Sequence, residues 1–260
     1  MNLRENSSQL LKHKPYMETS FLSSKCMYHN KIMSFTPFMS LKKSDHNVFE
    51  VTNNQKIITC YHDRWFDHLA INHLSKNLQA VAGIQVEKKG YDGLLETCKV
   101  VTVKFDAVKQ RQLSLESLKR SIPESFFSLL KALVPHSKFT RELLAKFTAL
   151  FFTWLVGPSE LKDSEFNGGR EKNVVHVKKC RFLESSNCVG MCTNLCKFPT
   201  QTFIKDSLGM PVTLIPNFED MSCDMIFGEE PPSADADPAT KQPCYKLCKI
   251  NKSHTTQRCS

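Results

Sequence analysis

The sequence predicts an α+β protein in which a mainly helical N-terminal part packs on a small cysteine-rich C-terminal α+β unit. Three observations predict it. Apolar residues recur at helical spacing in two stretches before residue 157, short β-prone runs replace them after Gly168-Gly169, and cysteines crowd into the same C-terminal third.

Residues 1–45 read as a leader. They are rich in Ser, Lys and Met, hold seven Lys/Arg against three Asp/Glu, and lack the compact apolar run of a secretory signal. That composition suits a plastid transit peptide, the scarcity of Arg favouring chloroplast over mitochondrion, or an ordinary disordered N-terminus.

A helical region is expected over 46–158. From Arg64 to Ala82, Trp65, Leu69, Leu74, Leu78 and Val81 repeat near the helical period, and Gly83 ends the run. His62, His68 and His73 lie on or near this helix. His68 and His73 are five apart and miss the i, i+4 face of a helical metal pair, so they read as solvent-facing or hydrogen-bonded. Tyr91 to Phe105 and Leu113 to Leu118 read as short mixed segments. Pro123 is placed to open a helix with Phe126, Phe127, Leu129, Leu130 and Leu133 on one face, closed by Pro135. A longer helix follows from about Thr140 to Val156, with an apolar stripe broken at Gly157-Pro158. That stripe is either plain core or, through Phe147, Phe151 and Trp154, the wall of a groove for a long, flat, apolar substrate.

Residues 159–173 read as a polar linker loop around Gly168-Gly169, and the cysteine-rich unit covers 174–250. Within it the pattern gives a β-prone run from Val174 to Leu183 and a short helix over Cys188 to Cys196 that stops before Pro199. Strands are expected at Pro211 to Pro216 and Met225 to Phe227. An acidic, proline-containing loop beyond Pro231 returns to Cys244 and Cys248, and 251–260 form a tail.

Composition excludes several classes. Hydrophobic residues make up 41% and charged residues 23%, as in ordinary globular chains. No apolar run approaches the ~18–20 residues of a membrane-spanning helix. The net charge is +9, of which the leader supplies +4 (seven minus three), leaving +5 over the other 215 residues. No basic block or nucleic-acid motif accompanies it, so no nucleic-acid partner is expected.

The eleven cysteines are unevenly spread: Cys26, Cys60 and Cys98 stand apart, whereas Cys180, Cys188, Cys192, Cys196, Cys223, Cys244 and Cys248 cluster, with Cys259 trailing. Without a secretion signal, such density points to metal more than to disulfides. In Cys188-Val-Gly-Met-Cys192-Thr-Asn-Leu-Cys196, spacing of four puts three thiols on one helical face. On a straight helix Cys188 and Cys196 would stand about 12 Å apart along the axis. One centre could then hold both only if the helix bends or unwinds, for which Gly190 offers a place. A neighbouring pair completed by Cys180, Cys223, Cys244 or Cys248 is the expected ligand set, holding iron, an iron–sulfur cluster or zinc, with unligated thiols as the alternative.

Several motifs carry a resemblance. Trp154-Leu-Val-Gly-Pro-Ser-Glu160, Val177-Lys-Lys-Cys-Arg-Phe-Leu-Glu184, Cys188-Val-Gly-Met-Cys192 and Lys197-Phe-Pro-Thr-Gln-Thr202 run in order. Pro216-Asn-Phe-Glu-Asp-Met-Ser-Cys223, Phe227-Gly-Glu-Glu-Pro-Pro232 and Lys241-Gln-Pro-Cys244 continue it, and Trp65-Phe-Asp-His-Leu-Ala70 and Gly90-Tyr-Asp-Gly93 extend it backwards. Together they resemble the plant β-carotene isomerase family of strigolactone biosynthesis. The resemblance implies a chloroplast isomerase containing iron, which interconverts all-trans- and 9-cis-β-carotene in the first committed step towards strigolactones. Paralogues within that family would take other carotenoid isomers. It carries no catalytic residue over to this sequence. A carotenoid substrate further implies peripheral contact with a plastid membrane and downstream carotenoid cleavage enzymes as partners. An electron-transfer protein or a zinc-thiolate interaction module is the competing reading of the same cysteines.

Overall fold

The computed structural model describes residues 26–28, 31–33, 41–44, 48–53, 56–122, 137–166 and 168–247. Cys248, the expected helix opening at Pro123, the tail 251–260 and most of the leader lie outside the described residues. Within the leader and just beyond it, β1 (Cys26–Tyr28) pairs with β2 (Lys31–Met33), and β3 (Leu41–Ser44), β4 (Val48–Asn53) and β5 (Lys56–Tyr61) form an antiparallel sheet.

The helical layer begins with α1 (Trp65–Ala82), which ends where the sequence says it should. Gly83 takes a left-handed φ of 61°, and its N–H bonds back to the last turn, as a helix C-cap requires. The next two segments depart from the expectation of short mixed structure. They are full helices, α2 (Gly90–Lys104) and α3 (Ala107–Ser121). In α2 the β-branched residues are accommodated because Thr97 and Thr102 donate their hydroxyls to the Gly93 and Cys98 carbonyls four residues back. In α3 the buried face is polar apart from Leu113, with Gln110, Ser114 and Ser117 turned inward. His73 on α1 reaches the Ser121 carbonyl at 3.2 Å and so ties α1 to the end of α3.

The helix expected over 140–156 is real but divided. α4 (Lys138–Phe151) and α5 (Thr153–Val156) meet at Phe152, and Gly157 follows with φ 92°. A Cβ at Gly157 would lie 3.2 Å from the Lys179 carbonyl oxygen and 3.3 Å from the Tyr61 ring, so glycine permits a close approach there.

The expected linker is instead a hairpin, β6 (Ser159–Phe166) and β7 (Gly169–Val177), and its polar residues belong to a sheet edge. Strands β8 (Val212–Pro216) and β9 (Cys223–Phe227) complete an antiparallel four-stranded sheet of order β6-β7-β9-β8. Ala145, Val175, Met210, Val212, Leu214, Met225 and Phe227 form one core cluster on it. A second cluster joins α1 and α2 to Trp154, Val177, Cys180, Phe182, Met191, Cys192 and Leu195. The thiols sit where the helical layer meets the sheet. The molecule is α+β, as its sequence predicts.

Candidate functional site

The cysteine-bearing passage does not stop before Pro199. After α6 (Arg181–Ser186), α7 (Val189–Met191) leads into a π-helical segment, Cys192–Lys197, which continues as α8 (Phe198–Leu208) with Pro199 in its first turn. The cause is local. Pro199 has no N–H to give the Leu195 carbonyl, and its ring crowds that oxygen. The ladder widens by a residue, and the Leu195 carbonyl accepts from Ser114 Oγ at 2.7 Å instead. Asn194 is clamped in the same turn: its Nδ2 donates to Gln110 Oε1 (3.1 Å), and its Oδ1 accepts from Arg111 Nε (3.1 Å) and Tyr245 Oη (3.0 Å). The irregularity anticipated at Gly190 therefore lies later, between Cys192 and Cys196.

This geometry gathers four of the predicted ligands. Cys180 precedes α6, Cys192 and Cys196 lie in the π turn, and Cys223 begins β9, where it pairs in register with Val177. All four line one cavity of about 20 Å³, shared with Val156, Phe182, Leu183, Leu214 and Met225. That volume holds about one water-sized occupant. Cys188 stands outside the cavity lining, its sulfur accepting from the Met191 N–H at 3.5 Å, and Cys244 is exposed. Among the described residues no three His, Cys, Asp or Glu side chains stand close enough together to hold a metal ion.

Burial dominates the electrostatics. It pushes the Cys192 and Cys223 thiols well above their ordinary range, neighbouring thiols push the same way, and Lys197 opposes them. Cys180 is likewise raised by burial, and Cys196 is pushed up to about 12. Cys98, buried on α2 near Cys196, also reaches about 12. Such thiols are protonated at neutral pH, so any metal must displace protons to enter. The sign for stability follows. Below pH 9 these thiols are neutral in folded and unfolded chains alike. Above it the unfolded chain ionises first, and the folded state loses stability as pH rises towards about 12. Urea unfolding of metal-free protein across that window is expected to show a falling midpoint, part of which Cys98→Ala removes. A midpoint flat from pH 9 to pH 11 contradicts the burial of these thiols.

Two buried ion pairs frame the cavity, and the sequence reading missed both. Lys197 Nζ lies 2.6 Å from Asp237, whose carboxylate also accepts from the Ala239 N–H at 2.9 Å. Arg181 grips Asp63 with both guanidinium ends (2.5 and 2.8 Å), donates to the Trp154 carbonyl at 3.0 Å, and lies 3.7 Å over the Tyr91 ring. Their signals were faint: an Asp before Pro238, and an Arg beside Cys180. Gly93 permits a close approach at the start of α2, since a Cβ there would run into the Lys88 carbonyl oxygen.

The three expected substrate-contacting aromatics do not share one wall. Phe147 and Phe151 stack at 4.4 Å on the exposed side of α4, whereas Trp154 is buried in the core. Phe152 bridges them, 6.2 Å from each of Phe147 and Trp154, and Val156 of α5 reaches the cavity.

Comparison with known proteins now bears on this arrangement. The family model described as beta-carotene isomerase D27-like, C-terminal, matches residues 154–236, a span that contains all four cavity thiols and excludes Cys244. The chain is 58% identical over 197 residues to the chloroplastic beta-carotene isomerase D27 of Medicago truncatula, covering 76% of this chain and 78% of that protein. It is 48% identical over 235 residues to the protein of the same name from Arabidopsis thaliana, covering 90% and 85%. No solved structure matches it.

Proposed function

Because this chain belongs to the beta-carotene isomerase D27-like family, we propose that it is a chloroplast carotenoid isomerase interconverting all-trans- and 9-cis-β-carotene. On this reading it takes the first committed step of strigolactone biosynthesis and feeds carotenoid cleavage enzymes. The observation that carries the reading is the convergence of Cys180, Cys192, Cys196 and Cys223 on one apolar cavity inside the matched span.

Rotation about one polyene double bond is opposed by its π-bond order, and a hydrocarbon offers no proton for acid–base groups to move. The proposed remedy is iron, as a single ion or an iron–sulfur cluster, held among the four thiols. Bound there, iron would supply one-electron chemistry that weakens a double bond. The donor type fits, because four soft thiols line one space beside otherwise mainly apolar side chains. The spacing requires adjustment, because the thiols must draw closer than they stand.

The chain's own contributions are more directly read. The Lys197–Asp237 pair locks the π turn to the segment before α9 (Pro238–Lys241). The cavity is far smaller than the ~300–1,000 Å³ of ordinary ligand sites. A carotenoid therefore meets it only at its edge, with Phe147 and Phe151 offering a flat apolar surface nearby in the chain. Peripheral contact with a plastid membrane belongs to the same reading, because the substrate is dissolved in lipid.

Iron-replete and chelator-stripped full chain, incubated with all-trans-β-carotene and resolved by isomer chromatography, test the proposal. The replete protein is expected to form 9-cis-β-carotene at least about tenfold faster than the stripped one, a barrier difference of about 1.4 kcal/mol. Equal turnover in both refutes the role of iron. No 9-cis product above a heat-killed control refutes the isomerase.

A further inference from the structure

The outer face of α4 is apolar where a helix lying on a sheet ordinarily carries polar residues. Its inner side accounts for its packing: Ala145 is buried, and Arg141 holds Glu171 on β7 through two bonds of 2.7 Å. On the opposite side Phe139 is 71% exposed, Leu150 68% and Leu143 43%. At 100° per residue these three fall within about 40° of one another. Phe147 and Phe151 extend the patch along one flank. Lys146 lies exposed within the same face, whereas Lys138 at its start donates to the Arg170 carbonyl at 2.8 Å and lies 3.9 Å from Glu142. Lys146 enters no salt bridge among the described residues.

We propose that this face of α4 docks the protein on an anionic lipid bilayer, with Phe139, Leu143 and Leu150 entering the headgroup–acyl boundary. The inference rests on the carotenoid reading, under which the substrate must be drawn from a membrane. Two observations select lipid as the occupant. Phe and Leu on one side with the exposed Lys146 among them is the composition of an interfacial helix, in which a lysine stem lies along apolar surface while its ammonium group meets lipid phosphate. The net charge of +5 carried outside the leader adds long-range attraction to an anionic surface. Among the described residues no helix is long and apolar enough to cross a membrane, so contact of this kind must be peripheral. The chemistry also runs in one direction: α4 leads through the stacked Phe147–Phe151 pair and Phe152 to α5, whose Val156 lines the thiol cavity.

The test is co-sedimentation of the full chain with phosphatidylcholine vesicles, with and without phosphatidylglycerol. Binding is expected to the anionic vesicles and to weaken with salt. Phe139→Glu with Leu150→Glu removes two exposed apolar anchors and should weaken partitioning by at least about 100-fold. It should leave turnover of detergent-dispersed β-carotene unchanged, which also reports that the variant folds. Lys146→Glu should weaken anionic binding about fivefold and leave neutral vesicles unaffected. Undiminished binding by the double variant overturns the proposal. So does loss of binding on Trp65→Glu, at the exposed Trp65, Phe66 and Leu69 of α1, with the α4 variants unaffected. A wild-type dimer that Leu150→Glu splits, with no vesicle binding, assigns the face to a second copy and also overturns it. Vesicle binding without any isomer formed leaves the docking face intact and sinks the isomerase reading; turnover in detergent without vesicle binding does the reverse.

Discussion

Cys192→Ser is expected to abolish iron retention and to lower turnover by at least about 100-fold, some 2.7 kcal/mol of barrier. Cys192 is the focus of the thiol cluster, because Cys196, Cys223 and Cys180 all act on it electrostatically. Serine keeps its size and loses the soft donor. Fold loss is a separate matter, since a buried hydroxyl without a partner costs about 1–3 kcal/mol. The measurement therefore pairs iron content with 9-cis formation, after circular dichroism has shown the variant folded. Cys244→Ser is the control, because Cys244 is exposed and lies outside the matched span. A folded Cys192→Ser protein that loses iron and keeps full turnover would end the metal mechanism.

Arg181→Met is expected to give the largest loss of stability, about 3–5 kcal/mol, because it strands the Asp63 carboxylate beside the core. Both side chains of the pair are largely buried, at 7% and 13% exposure. The substitution also removes the cation lying over the Tyr91 and Tyr61 rings. Urea unfolding reads the loss as a fall in midpoint. Adding Asp63→Asn to the variant should restore part of it, because the stranded charge is then gone. A loss below about 1 kcal/mol would mean that Arg181 is not the strut the geometry makes it.

What the sequence discloses depends on whether a segment's burial is written in apolar spacing. Helix α1 is plain because Leu74 and Leu78 repeat on its core side and Gly83 supplies the left-handed cap. Helix α2 is obscured by Val100, Val101, Thr102 and Val103, whose β-branched side chains weaken the helical pattern and leave the segment reading as mixed. Helix α3 hides because the groups it buries are Gln110, Ser114 and Ser117, each chosen for a hydrogen bond to a neighbouring element and not for hydrophobicity. The β6–β7 hairpin looks like a linker because β6 is an edge strand, where charged residues are normal.

The site follows the same rule. That cysteines in this third would come together was legible from their density, and Cys192 and Cys196 from their spacing. Cys180 and Cys223 were among the four cysteines expected to complete the pair, but the choice of them over Cys244 was not legible, because it depends on strand register between Val177 and Cys223. The π turn could have been suspected from Pro199 four residues after Leu195. Its partner Ser114 lies 81 residues away in the chain, and no local pattern announces it. Sequence spacing also joined Trp154 to Phe147 and Phe151, whereas the break at Phe152 turns Trp154 into the core.

The central claim is that this chain catalyses geometric isomerisation of a carotenoid, and a catalyst lowers the barrier equally in both directions. The most direct test incubates iron-replete full chain separately with pure all-trans- and pure 9-cis-β-carotene in detergent, followed by isomer chromatography over time. The account predicts that both incubations move towards one common isomer ratio, which heat-killed protein does not approach on the same timescale. Two incubations that each keep their starting isomer, with iron demonstrably bound, would contradict it.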